Sequence, residues 1–288
     1  MTRHIGLIGY PLKHSISPDF QQAALDYYKL DVHYEAREVE ADHLALAVSR
    51  LRQPENLGAN ITVPYKEKII GLIDTLDDFA RVAGAVNTVV NRDGNLEGFN
   101  TDGPGFLKAL LEDAFFEPAN KEVLILGAGG AARAVAFILL NEKVNSLVIA
   151  NRSLAKAEDL ASALLKRAAE TNMKTKVIAI GLSDRDITKS TVHCQLIINC
   201  TAIGMKYSAS EGQSPLTPYL IPKGALVYDL VYNPSQTPLL KEAQAVGART
   251  IGGMPMLVYQ GAASFKLWTV REAPLDIMFD AAKRALGK

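Results

Sequence analysis

The chain has 288 residues, 48% of them hydrophobic and 22% charged, which excludes a disordered polymer and supplies apolar mass for about two packed domains. Lysine and arginine number 31, and so do aspartate and glutamate, so the basic excess that a nucleic-acid binder needs is missing. Two cysteines, Cys194 and Cys200, are too few for a disulfide framework or a zinc cluster, so no metal is expected. They are expected in or near buried strands as small apolar side chains, in a reducing cytoplasmic setting.

Taken in chain order, the apolar stretch at 5–10 is stopped by Pro11 and Lys13, too soon for a signal peptide. A strand at 5–9 leads to a helix that begins at Pro18. Strands at 32–39 and 59–63 enclose a helix at 41–51, and a short helix is expected at 66–73. Strands at 85–91 and 96–99 pair across a turn at Asp93-Gly94, the residue pair that hairpin turns favour. A second alternation follows, with a helix at 105–112, a strand at 123–126, a helix at 131–140, a strand at 146–150 and a helix at 154–169. Strands at 177–180, 196–199 and 225–229 come next, and helices at 238–245, 256–268 and 274–286 close the chain. Strands alternating with helices predict an α/β protein with parallel sheets and crossover helices. Residues 123–140 are apolar enough to mislead a hydropathy scan. Arg133 inside the stretch and Gly127, Gly129 and Gly130 favour a strand, a glycine turn and a helix, because a mid-membrane arginine is costly. No membrane association is expected. Hinges are expected near 101–104 and 252–253, letting the last helices return to the first domain.

The strongest local signal is Gly127-Ala128-Gly129-Gly130-Ala131-Ala132, a glycine loop between an apolar strand and an amphipathic helix. In that setting Gly127 permits the tight turn, Gly129 lets backbone approach a pyrophosphate, and Ala132 is small enough for close helix–strand packing. The helix N-terminus offers free N–H groups to phosphates. The next strand ends in Asn151-Arg152-Ser153, with Lys156 one turn later and no carboxylate. A carboxylate there would hold a ribose 2′-hydroxyl, whereas Arg152 could pair with a 2′-phosphate. The pattern predicts NADP; the alternative is that Asn151 or Ser153 caps the helix and Arg152 is merely solvated.

Four polar pieces interrupt the first domain, each open to two readings. Ser15 and Ser17 are a loop residue and a helix cap, or a neutral site for a carboxylate at a helix N-terminus. Lys66 is expected in the first turn of a helix, where the dipole opposes a cation. It is either a surface lysine or an acid/base whose charged form is disfavoured. Asn87 interrupts an apolar strand, as a satisfied buried amide or a ligand contact. Asp102 ends a strand before a helix, as an N-cap or as a carboxylate facing the cleft where α/β proteins bind ligands.

In this order the segments GYPLKHSISP, GANITVPYK, GAVNTVV, GFNTDG, LGAGGAARA, ANRSLAK, NCTAIGM, VYDLVYNP and GGMPMLVYQGAASFKLW resemble the shikimate dehydrogenase family over essentially the whole chain. The resemblance implies an N-terminal α/β substrate domain, residues 1–103 joined by 254–288, and a Rossmann-type doubly wound NADP domain, residues 104–253. It implies NADP-linked interconversion of 3-dehydroshikimate and shikimate by a cytoplasmic monomer or homodimer. Lys66 would be the catalytic acid/base and Asp102 its partner. Ser15, Ser17, Thr62, Asn87, Tyr232 and Gln260 would bind the substrate's carboxylate and hydroxyls. Gly127, Ala128, Gly129, Gly130 and Ala131 would bind the pyrophosphate, and Asn151, Arg152, Ser153 and Lys156 the 2′-phosphate end. Leu230 and Gly253 would line the nicotinamide. Lys156 stands where arginine is frequent and Leu230 where methionine is common. The Ser-Ile-Ser segment and the absence of an acidic residue after the second strand of the NADP domain point away from quinate and NAD. A quinate/shikimate or amino-shikimate relative is the alternative enzyme. A silent NADP-sensing regulator is the non-enzymatic alternative, and retention of both Lys66 and Asp102 argues against it.

Overall fold

Apolar runs bounded by turn residues form the strands of two separate sheets. The structure, a computed structural model, describes residues 2–13, 15–182, 187, 188, 191 and 193–287. The chain separates into two units, Met1–Gly105 with Leu257–Lys288, and Phe106–Met256.

In the first unit the described elements begin with β1 (Arg3–Gly9), α1 (Ser17–Tyr27), β2 (Val32–Glu38), α2 (Leu44–Arg50) and β3 (Asn56–Ile61). They continue with β4 (Thr75–Leu76), α3 (Asp78–Ala83), β5 (Thr88–Arg92) and β6 (Asn95–Phe99). The sheet order is β2-β1-β3-β5-β6-β4. β1 runs parallel to β2 and β3, while β5 is antiparallel to β3 and β6, so the sheet is mixed rather than purely parallel. Asp93 (φ 53°) and Gly94 (φ 89°) make the predicted hairpin turn. Ile8, Leu51, Ile61, Tyr65, Ile69 and Val86 share one apolar core. The C-terminal helix Leu275–Leu286 packs on α1, and Gln21 Nε2 donates to the Gly261 carbonyl at 2.9 Å.

The second unit follows α4 (Asp102–Glu112), which spans the boundary. It contains β7 (Glu122–Leu126), α5 (Gly130–Asn141), β8 (Ser146–Asn151), α6 (Leu154–Glu170) and β9 (Lys176–Gly181). Strands β10 (Leu196–Asn199) and β11 (Leu226–Asp229) come next, then helix Pro238–Ala245 and β12 (Arg249–Ile251). Every pairing in its sheet is parallel, in the order β12-β11-β10-β7-β8-β9. β7 is apolar without alternation because its residues from Val123 to Leu126 are buried on both faces, as central parallel strands require. In α6 the residues Ala157, Leu160, Ala161, Leu164 and Ala168 recur at helical spacing and are the buried ones. The chain lays strands outward from β7 to β9, then returns to place β10 on the other side of β7. That reversal is the switch point beyond whose strand carboxyl ends open α/β sheets bind ligands.

Several expected boundaries move. Residues 66–73 contain only a 3₁₀ segment, Lys68–Leu72, because isoleucines and Gly71 within eight residues are poor helix formers. Lys66 therefore lies in a turn before it, and no α-helix dipole opposes its charge. β3 ends at Ile61, since Pro64 cannot donate to a ladder, and β5 begins only at Thr88, leaving Asn87 just ahead of the strand. α1 starts at Ser17 with Ile16 at the cap position and no side-chain cap bond, so Ser17 is inside the helix rather than its cap. α3 and the short strands β4 and β12 lie outside the elements expected from the sequence. α3 nevertheless carries plain signals: Asp77 caps it by accepting from Phe79 and Ala80 N–H groups, and Gly84 (φ 64°) ends it. Residues 123–140 form β7, the glycine turn and α5, and no helix among the described residues is long and apolar enough to cross a membrane. Cys194 is buried, which pushes its thiol up to about 12 and leaves it unreactive near neutral pH.

Candidate active site

In the first unit the polar pieces converge on one end of the sheet. β1 ends at Gly9 and β3 at Ile61, while β5 starts and β6 ends there, with Thr88 paired to both Asn60 and Phe99. Thr62 follows β3 directly, and its carbonyl accepts from the Tyr65 N–H at 2.9 Å. The buried Tyr65 ring then anchors the turn, its hydroxyl donating to the Val39 carbonyl at 2.6 Å. Lys66 is held by its own carbonyl, which accepts from Val86 N–H at 2.7 Å.

Lys66 Nζ donates to Asp102 Oδ2 at 2.6 Å, and the two side chains are only 16% and 5% exposed. Asp102 is the first residue of α4 and does not cap it; Asn100 does, its Oδ1 accepting from the N–H groups of Asp102 and Gly103 at 3.0 and 3.3 Å. That substitution releases the aspartate carboxylate for Lys66 on one oxygen and for Asn87 Nδ2, at 3.0 Å, on the other. A charged pair bonded on both carboxylate oxygens is fixed in direction as well as distance. The Asn87 amide group also lies within 2.8 Å of Thr101 Oγ1 and 3.1 Å of Gln260 Oε1. Gln260 thus stands in the cluster and not on the surface. Ser15 is partly buried and Ser17 buried, with Ser15 Oγ accepting from Ser17 N–H at 3.3 Å.

Behind this front lies a second polar layer that the sequence did not single out. Asn60 Nδ2 reaches the Asn87 carbonyl, Thr88 Oγ1 and Ser264 Oγ at 3.0 to 3.1 Å, and its Oδ1 accepts from Tyr34 O–H at 2.8 Å. Thr88 and Ser264 hydroxyls are 2.7 Å apart, and Thr101 Oγ1 is 3.1 Å from Ser264. The available signal was position: Asn60, Thr88 and Thr101 are polar residues beside apolar strand ends, where a buried group must find partners.

In the second unit Gly127 adopts φ 109°, as the turn requires, and an added side chain would press on Thr201 and Cys200. Space above Gly129 is open, with nothing within 4 Å of where a Cβ would stand. Gly129 caps α5 without any side-chain bond to the helix N–H groups, so these donors remain for an anion. Ala132 is fully buried between helix and sheet. Beyond β8, Arg152, Ser153 and Lys156 are exposed. Ser153 occupies the cap position of α6 but its hydroxyl makes no cap bond, while Asn151 Nδ2 donates to the Ser153 carbonyl at 2.9 Å. Leu230 follows β11, Tyr232 is partly buried in the same turn, and Gly253 is pressed so close that a Cβ would lie 2.1 Å from the Leu230 carbonyl oxygen. A 2′-phosphorylated dinucleotide fits this set: open backbone at Gly129, unspent N–H donors, an uncommitted hydroxyl and cations without a carboxylate at the strand end. Among the described residues no group of three or more His, Cys, Asp or Glu could hold a metal ion.

Family models match the chain in three segments. They are the shikimate dehydrogenase substrate binding domain at residues 7–89, shikimate / quinate 5-dehydrogenase at 109–216, and the shikimate 5'-dehydrogenase C-terminal domain at 253–283. The shikimate dehydrogenase (NADP(+)) of Methanopyrus kandleri is 43% identical over 97% of this chain and 94% of its own length. A crystal structure of a shikimate dehydrogenase in complex with NADP+ superposes with a TM-score of 0.89 at 39% identity, covering 100% of this chain and 96% of the other. The shikimate 5-dehydrogenase of Thermus thermophilus, in complex with NADP(H) and shikimate, gives 0.85 at 35% identity, covering 99% and 100%. With the lysine–aspartate pair at one sheet end, the glycine loop at another, and these matches along nearly its full length, the chain belongs to the shikimate dehydrogenase family.

Proposed function

We propose that this chain carries out the NADP-dependent, reversible reduction of 3-dehydroshikimate to shikimate, a step toward aromatic amino acids. The observation that carries it is the Lys66–Asp102 pair at 2.6 Å, steadied by Asn87. Bound NADPH supplies the hydride that reduces the carbonyl carbon. The protonated Lys66 Nζ stabilises the negative charge developing on the carbonyl oxygen and gives it a proton, leaving a neutral amine that solvent reprotonates. In the oxidative direction the neutral amine takes the hydroxyl proton. Asp102 keeps the amine aimed and accepts from a neighbouring ring hydroxyl. Ser15 and Ser17 would bind the substrate carboxylate with their hydroxyls, and Thr62, Asn87 and Gln260 its carboxylate or ring hydroxyls.

Gly127 to Ala131 would hold the pyrophosphate. Arg152, Lys156, Asn151 and Ser153 would hold the 2′-phosphate, and Leu230 with Gly253 would line the nicotinamide. Residues 1–103 with 254–288 then serve the substrate and 104–253 the cofactor, in a cytoplasmic monomer or homodimer. The test is NADPH formation from shikimate, repeated with quinate and with NAD. Turnover confined to shikimate with NADP is expected; equal turnover with quinate or NAD overturns the substrate and cofactor assignment.

A further inference from the structure

Asp229 closes β11 and is completely buried. A carboxylate without water is costly unless its lone pairs are filled. Three donors supply them: Oδ1 accepts from Asn199 Nδ2 at 2.9 Å and Val231 N–H at 3.0 Å, and Oδ2 from Thr237 Oγ1 at 2.6 Å. Burial still outweighs these bonds and pushes the carboxyl up to about 6. Each donor sits on a different piece of chain. Asn199 ends β10, Val231 lies in the turn after β11, and Thr237 caps helix Pro238–Ala245, its oxygen accepting from Leu240 N–H at 3.3 Å.

Asn199 passes the connection on. Its Oδ1 accepts from Thr201 N–H and Oγ1 at 3.0 and 2.6 Å, and its carbonyl accepts from Leu230 N–H at 3.0 Å. Thr201 is the residue that a side chain on Gly127 would meet first, at 3.2 Å. The Val231 carbonyl in turn accepts from Gly253 N–H at 3.2 Å. The strand itself requires none of this, because β11 already pairs with β10 and β12 and an apolar core that includes Val227, Leu239 and Leu240 packs beneath it. The network serves the loops instead.

We propose that Asp229 is a positioning residue for the cofactor: it sets the Leu230 turn and, through Asn199, the Thr201 loop beside Gly127. This rests on the assignment of Leu230 and Gly127 to the cofactor. The experiment measures NADP binding to the full chain by calorimetry, with kcat and both KM values, for Thr237→Val, Thr237→Ser and Asp229→Asn, each checked for folding by thermal melting. Thr237→Val removes the donor to Oδ2 while keeping shape; Thr237→Ser restores it. Loss of a buried charge-assisted bond predicts NADP binding weakened about tenfold in Thr237→Val and Asp229→Asn, with the shikimate KM within about threefold of wild type. Thr237→Ser should bind like wild type. Wild-type NADP binding by a folded Asp229→Asn or Thr237→Val, or failure of Thr237→Ser to rescue, overturns the proposal. If Thr237→Val does not fold, Asp229→Asn alone decides. A wild-type chain that binds NADP but does not oxidise shikimate defeats the proposed activity and leaves the binding comparison standing; one that does not bind NADP defeats both.

Discussion

At the end of the first sheet Asp102 has both carboxylate oxygens bonded, Asn87 has more acceptors than amide hydrogens, and Gln260 and Ser264 close the cluster from a distant helix. Beyond β7 and β8 in the second unit the opposite holds: Gly129 stands open, α5 has no side-chain cap, and Arg152, Ser153 and Lys156 are exposed. On the proposed reading the first end moves a proton, which requires a group held at one distance and angle before the substrate arrives, with its partners built into the fold. Holding a polyanion requires donors and cations that nothing else has claimed.

The comparison breaks first at Lys66. Lys66→Ala should lower turnover by about two to four orders of magnitude while shikimate affinity changes far less, since a general acid acts in the transition state. Turnover near wild type would remove the lysine from the chemistry. Next comes the exposed side: Arg152→Ala should raise the NADP KM by about 10- to 100-fold, the worth of one charge-assisted pairing, and leave the NAD KM nearly unchanged. Equal losses would show that the arginine does not read the 2′-phosphate.

A smaller effect tests whether the second polar layer matters. Ser264→Ala leaves Asn60 and Thr88 short of a partner and should cost about 1–3 kcal/mol, seen as a lower melting temperature. A melting temperature equal to wild type would show that the layer does not depend on that hydroxyl. An effect of similar size, confined to one pH window, belongs to Asp229. Its folded pKa is raised from 3.8 to about 6, so the folded chain keeps a proton that the unfolded chain has released. Its contribution is fully present below pH 4 and lost as pH rises through 6, by at most about 3 kcal/mol. Melting temperatures of wild type and Asp229→Asn between pH 4 and 7 should therefore converge toward acid and separate toward neutral pH. Parallel profiles would contradict the raised carboxyl.

Much of this was legible because local rules carry far. Strand, glycine loop and helix at 123–141 follow from apolar runs and φ requirements within a few residues, and the Asp93-Gly94 turn does too. Lys66 and Asp102 stand out as residue types, but their surroundings do not. The lysine is expected on a helix that does not form, and of the two readings open for the aspartate, capping falls to Asn100 while the carboxylate faces Lys66. Asn100 takes the capping donors of α4 from only two and three residues away, whereas the Lys66 turn, over residues that are poor helix formers, is also fixed by a distant segment, Val86 N–H donating to the Lys66 carbonyl. Asp229 and Ser264 stayed invisible because their partners Thr237, Asn199, Asn60 and Thr88 declare themselves only in three dimensions.

The helix carrying Gln260, Ser264 and Trp268 belongs to the first unit although it is encoded after the second. During synthesis the ribosome releases the opening 105 residues without the hydroxyl beside Thr88 and without the indole that donates to the Val89 carbonyl at 2.9 Å. The middle unit is contiguous in the chain, with all six strands of its sheet between Glu122 and Ile251, and is free to fold as it emerges. The polar cluster around Lys66 is finished last, so a nascent or truncated product ending near residue 253 would have a formed glycine turn at Gly127 and a Lys66–Asp102 cluster still lacking Gln260 and Ser264.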